Sequence, residues 1–240
     1  SGYIGQEFKV ALNQGMGLAI EKVMAMFTSR DNSISEPFLE ACDTVVQSGR
    51  FETLLRTHST AWKHLWRRFA VEVELNINGS PAGPESDYDH YHFVQRTLHI
   101  YCFHLLQSAS MHSLDIDVGM PARGWHGEGY RGHIFWDELI IFPYLNYRAP
   151  QITQTLLMYR YRRLNQARRM ARELGFKGAM YPWQSGSNGR EETQQMHLNP
   201  KSGRWLPDHS HLQRHVNVSI VYNIWPYYQI SGDFDFLSFY

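Results

Sequence analysis

Arg123-Gly124-Trp125-His126-Gly127-Glu128-Gly129-Tyr130-Arg131-Gly132-His133-Ile134-Phe135-Trp136-Asp137-Glu138 is the stretch on which the reading of this chain turns, with the helical run that continues from it to Tyr159-Arg160-Tyr161-Arg162-Arg163. Polar side chains able to hold sugar hydroxyls alternate there with large aromatic rings, and glycines let the backbone fold tightly between them. Phe135-Trp136-Asp137 is the sharpest signal. A carboxylate beside a large ring at a helix start can accept two hydroxyl protons while the ring covers a C–H face. The same residues fit a plainer role, with Asp137 favoured by the helix dipole and Trp136 in the core. Spacing alone favours the plainer role, and the same holds for Pro182-Trp183-Gln184-Ser185, where Trp183 reads equally as a packing anchor.

Outward from this centre the pattern is mostly helical. Helices are expected over Ser35–Gly49, Phe51–Phe69, Tyr88–Met111, Ile134–Tyr147, Pro150–Leu174 and Ser210–Ser231, with another beginning at Asp235. Ser35-Glu36-Pro37 is a good helix start, and Leu54, Leu55, His58, Trp62, Leu65 and Trp66 share one broad face. Gly5–Leu12 and Leu18–Phe27 alternate as strands around an Asn13-Gln14-Gly15 turn, and Val71–Ile77 reads as a short strand. Asn78-Gly79-Ser80-Pro81-Ala82-Gly83-Pro84 is the strongest breaker and the best domain boundary. Gly175–Leu206 reads as one long loop, a length that in a compact domain usually serves function.

Bulk properties exclude several classes. Lys+Arg and Asp+Glu balance at 23 each, which argues against a nucleic-acid partner or a membrane surface. No apolar run reaches the roughly 20 residues that span a bilayer, and the first residues do not form a signal peptide. Two cysteines, Cys42 and Cys102, argue against a disulfide-built fold and point to a reducing cytoplasm. Seven Trp, fourteen Tyr and thirteen Phe, many beside Asp, Glu, His or Gln, suit carbohydrate recognition, although packing alone also enriches aromatics.

Other chemistries fare worse. Gly127–His133 has the look of a phosphate-cradling loop, but it lacks the preceding strand and the fixed-spacing Lys or acid of a nucleotide fingerprint. His209, His211 and His215 invite a metal, yet no His-Glu-x-x-His pattern completes them, so they are read as hydrogen-bonding residues and no metal is expected. No Gly-x-Ser-x-Gly elbow supports a serine nucleophile. Arg160, Arg162, Arg163, Arg168, Arg169 and Arg172 spread around a helix and read as a solvated face.

Leu106-Gln107-Ser108-Ala109-Ser110, the Arg123–His133 loop, Leu156-x-x-Tyr-Arg-Tyr-Arg-Arg-Leu, Gly178-Ala179-Met180-Tyr181-Pro182-Trp183 and the segment from His215 onward follow one another in an order that resembles glycoside hydrolase family 65. The likeness runs from about Thr28 to Tyr240. This family comprises inverting phosphorylases and hydrolases of α-linked glucosides such as trehalose, maltose and kojibiose. The resemblance implies a mainly α fold, a partial (α/α)6 barrel preceded by the last strands of a β-sandwich and a helical linker. On that pattern residues 1–33 end the sandwich, 34–80 form the linker and 88–240 the first half of the catalytic barrel.

It also implies an enzyme that cleaves an α-linked glucosyl disaccharide with inversion, by phosphorolysis to β-glucose 1-phosphate. Inorganic phosphate would be the co-substrate, with no other cofactor, and a homodimer of the full-length protein is compatible with it. Hydrolysis of the same bond, or a non-catalytic sugar-binding or degenerate fragment, are the alternatives. Phe135, Trp136, Asp137, Trp183, Gln184, Arg131 and His133 are the expected substrate-binding residues. The general-acid Glu is expected beyond Tyr240, so this part alone would be inactive; Glu128, Glu138, Glu191 and Glu192 match no such role. Two departures stand out. Many disaccharide phosphorylases read Phe-Trp-Asp-Thr-Glu and Pro-Trp-Glu-Ser, where this chain has Asp137-Glu138-Leu139 and Trp183-Gln184-Ser185.

Overall fold

The computed structural model describes residues 5–74, 85–124 and 129–240. Three of the sequence expectations fall wholly or partly outside them: the strand Val71–Ile77 beyond Glu74, the breaker Asn78–Pro84, and Trp125–Glu128 of the glycine-rich loop. The chain divides into two compact units, one built from residues up to Ser29 with Ser33–Lys63, the other from Arg30–Asn32 and His64–Tyr240.

In the first unit, Asn13-Gln14-Gly15 turns as expected, with the Met16 N–H donating to the Asn13 carbonyl at 3.1 Å. The flanking segments Gly5–Leu12 and Leu18–Phe27 form no strand, and Phe8, Val10, Leu12, Leu18 and Ile20 remain exposed. Alternation prepares a strand, but a ladder needs a partner edge, and the described residues offer none. Val71–Glu74 forms no strand for the same reason. Helix α1 spans Pro37–Gln47, opened by proline in its first turn, where the missing N–H costs nothing. Helix α2 spans Phe51–Phe69. At its start Glu21 accepts from Arg50 at 2.8 Å and from the Phe51 N–H at 3.4 Å, which holds the Glu21 carboxyl below its ordinary range.

The second unit carries the core. Helix α3 (Glu85–Ser108) buries Cys102 and Leu106, and Cys102 with Tyr144 donates to the Phe69 carbonyl at the end of α2. Helices α4 (Glu138–Arg148), α5 (Pro150–Arg162) and α7 (Val216–Ser231) pack on one another. Phe142, Leu145, Ile152, Leu156, Leu157, Val216 and Ile220 fill the space between them. Truncating any one to alanine costs about 2–5 kcal/mol for the larger aliphatic chains. Only Ala149 separates α4 from α5; it is fully buried, and Pro150 begins the next helix.

Three expected helices are shorter or broken. Ile134–Asp137 lies outside α4, and Ser210–Ser231 splits into a 3-10 turn, Ser210–Leu212, and α7. Pro150–Leu174 breaks at Arg163 into α5 and α6 (Leu164–Glu173). The break serves the Arg163 guanidinium, which donates to Asp117 Oδ1 at 2.8 Å and Oδ2 at 3.0 Å, and to the carbonyls of Tyr159 and Ser187. Burial pushes the Asp117 carboxyl up, but hydrogen bonds and charge from Arg163 and Arg162 outweigh it and hold the group below its usual range. The solvated-arginine reading therefore fails at two positions: Arg160 is 2% and Arg163 5% exposed.

The long loop contains a hairpin, β1 (Met196–Leu198) against antiparallel β2 (Trp205–Pro207), with His197 opposite Leu206. Asn199 Oδ1 closes its turn by accepting from the N–H groups of Lys201 and Ser202. At the far end, α7 stops at Gly232, whose φ of +67° suits glycine. Asp233 then caps α8 (Phe234–Phe239), accepting from the Phe236 N–H at 2.9 Å.

Candidate functional site

The glycine-rich segment and the Pro-Trp loop are joined through their backbones. Ile134 and Ser185 exchange N–H···O=C bonds of 2.9 Å in both directions as an isolated antiparallel bridge, and Ser185 bridges to Glu191 in turn. Ile134 seats closely against Gly119: a Cβ there would lie 2.8 Å from Ile134 Cγ1. Just before the bridge, Tyr130 (φ +65°) and Arg131 (φ +52°) both adopt left-handed backbone, at a cost of about 1–2 kcal/mol each. Two consecutive strained non-glycine residues mark a segment whose geometry matters beyond packing.

That pairing brings four aromatic rings and a histidine together. Trp136 and Trp183 lie 6.4 Å apart between centroids at an interplanar angle of 37°. His215 stands edge-on to Trp136 at 5.1 Å and lies 4.8 Å from Trp183. Phe135 is buried beneath, edge-on to Trp183 at 5.6 Å, and Tyr130 packs on it at 4.7 Å. Trp136 keeps 39% exposure, so its ring is a surface rather than the core anchor of the plainer reading.

Asp137 occupies the N-cap position of α4 yet makes no cap bond to the helix; its own N–H is the backbone group that reaches it. A residue there for helix stability would accept from the N2 or N3 N–H. Burial raises the Asp137 carboxyl above its ordinary range. A half-buried, uncommitted carboxylate beside an exposed indole can accept hydroxyl protons from a ligand.

Gln184 is buried, and its amide meets His133 Nδ1 at 2.6 Å. Burial and then the Arg131 charge lower the His133 imidazole below its ordinary range, so it is neutral at pH 7; in the tautomer with its proton on Nε2, Nδ1 accepts from the Gln184 amide. Arg131 itself reaches the Glu192 carbonyl at 3.3 Å and stays exposed. Of the expected set, then, Phe135, Trp136 and Trp183 share one ring cluster, while Gln184, His133 and Arg131 brace the loop beside it.

Three further residues belong to this architecture. His215 precedes α7, and its ring joins the two tryptophans instead of forming a metal set with His211; among the described residues no three His, Cys, Asp or Glu gather to hold a metal. Glu191 accepts from the N–H groups of Trp183 (2.8 Å), Gln184 (3.1 Å) and Thr193 (3.2 Å), and from the Thr193 hydroxyl (2.6 Å). Arg160 binds Glu138 in a buried ion pair at 3.1 Å, which removes Glu138 from any role as a free proton donor. Burial raises the Glu138 carboxyl against the pull of that guanidinium. In the sequence His215 stands out only beside His211, as a metal candidate, and Arg160 only as one of a run of arginines, so neither pattern marks the role each has here.

Residues 99–240 match the model of the glycosyl hydrolase family 65 central catalytic domain, and residues 1–65 that of the family's N-terminal domain. The chain belongs to glycosyl hydrolase family 65. An uncharacterized glycosyl hydrolase of Mycobacterium tuberculosis is 43% identical over 97% of this chain and 16% of its own length. Kojibiose phosphorylase of Halothermothrix orenii is 33% identical over 98% of this chain and 29% of its own length. Trehalose 6-phosphate phosphorylase of Lactococcus lactis is 32% identical over 98% of this chain and 28% of its own length. The chain thus spans less than a third of these family 65 relatives. A solved structure from the human microbiome, assigned as a kojibiose phosphorylase, superposes with a TM-score of 0.58 at 21% identity, covering 85% of this chain and 23% of that one. That likeness supports the mainly helical fold.

Proposed function

We propose that this chain supplies the glucose-holding part of an enzyme that cleaves an α-glucosidic bond with inversion, by phosphorolysis. The observation that carries the reading is the Trp136–Trp183–His215 cluster with the uncommitted Asp137 carboxylate next to it. Membership of family 65 and the phosphorylases among its relatives support it. The indole faces would cover sugar C–H surfaces, and Asp137 would accept hydroxyl protons, fixing the ring of the glucosyl unit. A phosphate oxygen would then attack the anomeric carbon from the face opposite the leaving oxygen. The bond to that oxygen breaks as a carboxylic acid protonates it, giving β-glucose 1-phosphate and the free second sugar.

No carboxyl of this chain is assigned as the acid. Glu138 is locked to Arg160, and Glu191 is occupied as an acceptor from its own loop. On the same reading residues 1–33 end a β-sandwich, 34–80 form a helical linker and 88–240 begin an (α/α)6 barrel.

The test is incubation of the full-length protein with kojibiose, trehalose, maltose and nigerose, with and without phosphate. Phosphate-dependent glucose 1-phosphate is the expected product. Phosphate-independent release of two free sugars would replace phosphorolysis with hydrolysis. No product from any of them would leave sugar binding alone, and absence of binding as well would end the carbohydrate reading.

A further inference from the structure

We infer that Arg160 is the positioning residue for both sugar-facing segments of the site, an assignment that rests on the reading of Trp136, Asp137 and Trp183 given above. It sits in the last turn of α5 and is 2% exposed, so water cannot stand in for its partners. Its Nη2 donates to the Phe135 carbonyl at 2.5 Å and to Glu138 Oε2 at 3.1 Å, and its Nε donates to the same Oε2 at 3.2 Å. Phe135 and Glu138 are the residues immediately before and after Trp136-Asp137. One planar guanidinium therefore fixes both ends of the dipeptide that faces the sugar, which an ammonium group, a point charge on a flexible stem, would not do with the same rigidity.

The Arg160 main chain serves the second segment. Its carbonyl accepts from the Tyr181 hydroxyl at 3.0 Å, and Tyr181 leads directly into Pro182-Trp183. Neighbouring groups on the same helix end secure the remainder of that loop: the Tyr159 hydroxyl donates to Ser185 Oγ at 2.8 Å, and Arg163 to the Ser187 carbonyl at 2.6 Å. The ion pair is also not arranged for stability alone. Among the described residues, Glu138 Oε1 and Arg160 Nη1 are buried without a hydrogen-bond partner, while Nη2 is directed to a backbone carbonyl. A buried pair with unmet groups contributes little net stability, whereas its bonds define direction.

The experiment uses Arg160→Lys in the full-length protein, with Asp137→Asn and the double variant. Arg160→Lys is expected to lower kcat/KM by about 100-fold, the scale of a misplacement near 1 Å, while the protein still melts cooperatively. In the Asp137→Asn background the same change should cost clearly less than it does alone, because part of its effect runs through Asp137. Losses that multiply independently, or an unchanged kcat/KM in Arg160→Lys, would overturn the assignment. A second readout needs no turnover: the far-UV circular dichroism couplet of the Trp136–Trp183 pair, identified as the signal that Trp136→Phe removes. Arg160→Lys should diminish it, and an intact couplet counts against the assignment even if no glucoside proves to be a substrate. Should Arg160→Lys fail to fold, Tyr181→Phe isolates the second segment. It should raise KM several-fold and show no further loss when combined with Trp183→Ala; additive losses there overturn the shared anchor.

Discussion

Asp137 shows how a single side chain separates stability from function. Its carboxyl is raised by burial and receives no cap bond in exchange, so the ionised form is disfavoured in the folded chain. For a group raised in the fold, any stabilising contribution is fully present below the unfolded value and is lost as pH rises through the folded value. At neutral pH the charge is therefore a net cost. Asp137→Asn is expected to melt at a higher temperature than the parent at pH 7, with the difference vanishing in acid below the ordinary carboxylate range. The same variant should lose most turnover, and the acid limb of the parent's kcat/KM profile should lie above the ordinary Asp value. Calorimetry across pH, beside the rate profile, checks both; a lower melting temperature at pH 7 would restore Asp137 to helix capping. Trp183→Ala should weaken sugar binding clearly in titration calorimetry, whereas unchanged affinity with a lower melting temperature would make it a packing anchor. This is also the scale at which sequence reading reached least far. Phe135, Trp136, Asp137 and Trp183 could be picked out because an aromatic beside a hydrogen-bonding group is a local pattern. Arg160 could not, because six arginines on one helical run give no hint of which is buried; that is decided by Glu138 and the Phe135 carbonyl, 22 and 25 residues away.

At the scale of elements, helices were legible where their stripes and stop signals were local, as in α1 with Pro37 and α2 with its Trp62–Trp66 face. The break between α5 and α6 was not, because no glycine or proline marks it; a tertiary ion pair to Asp117 does. The hairpin Met196–Leu198/Trp205–Pro207 escaped because three-residue strands are too short to show alternation. The α7–α8 junction makes a quantitative prediction. Asp233 accepts from Tyr227, from the Phe236 N–H and from Gln154, tying α5, α7 and α8 together, and these bonds, Tyr227 first, hold its carboxyl below the ordinary range. A depressed carboxyl contributes stability above its unfolded value that is lost as pH falls through the folded one. Asp233→Ala should therefore cost about 1 kcal/mol as a lost cap at neutral pH. That cost should shrink toward zero as the solution is acidified through the carboxylate range. Urea melts at neutral and acid pH would show it, and a cost independent of pH would assign the effect to packing.

For the molecule as a whole, α7 poses the last question. One face buries Val216, Ile220 and Tyr227, and the helix packs on α4, α5 and α8. The other carries Val218, Val221, Tyr222 and Trp225 at i, i+3, i+4 and i+7, exposed by 71%, 69%, 52% and 54%. A helix apolar on both faces belongs in the interior of a larger structure. Since this chain spans under a third of its family 65 relatives, further chain in the full-length protein is the natural cover for that stripe. The 240 residues on their own should then self-associate at high micromolar concentration, and Val221→Glu should reduce that association in sedimentation velocity. In the full-length protein the same substitution should instead destabilise, by about 2–4 kcal/mol for a charge buried without a partner. The two outcomes are opposite in sign for one substitution. A monomeric 240-residue chain together with a full-length Val221→Glu protein of undiminished stability would mean that the stripe faces solvent in both, and the barrel proposal would have to be given up.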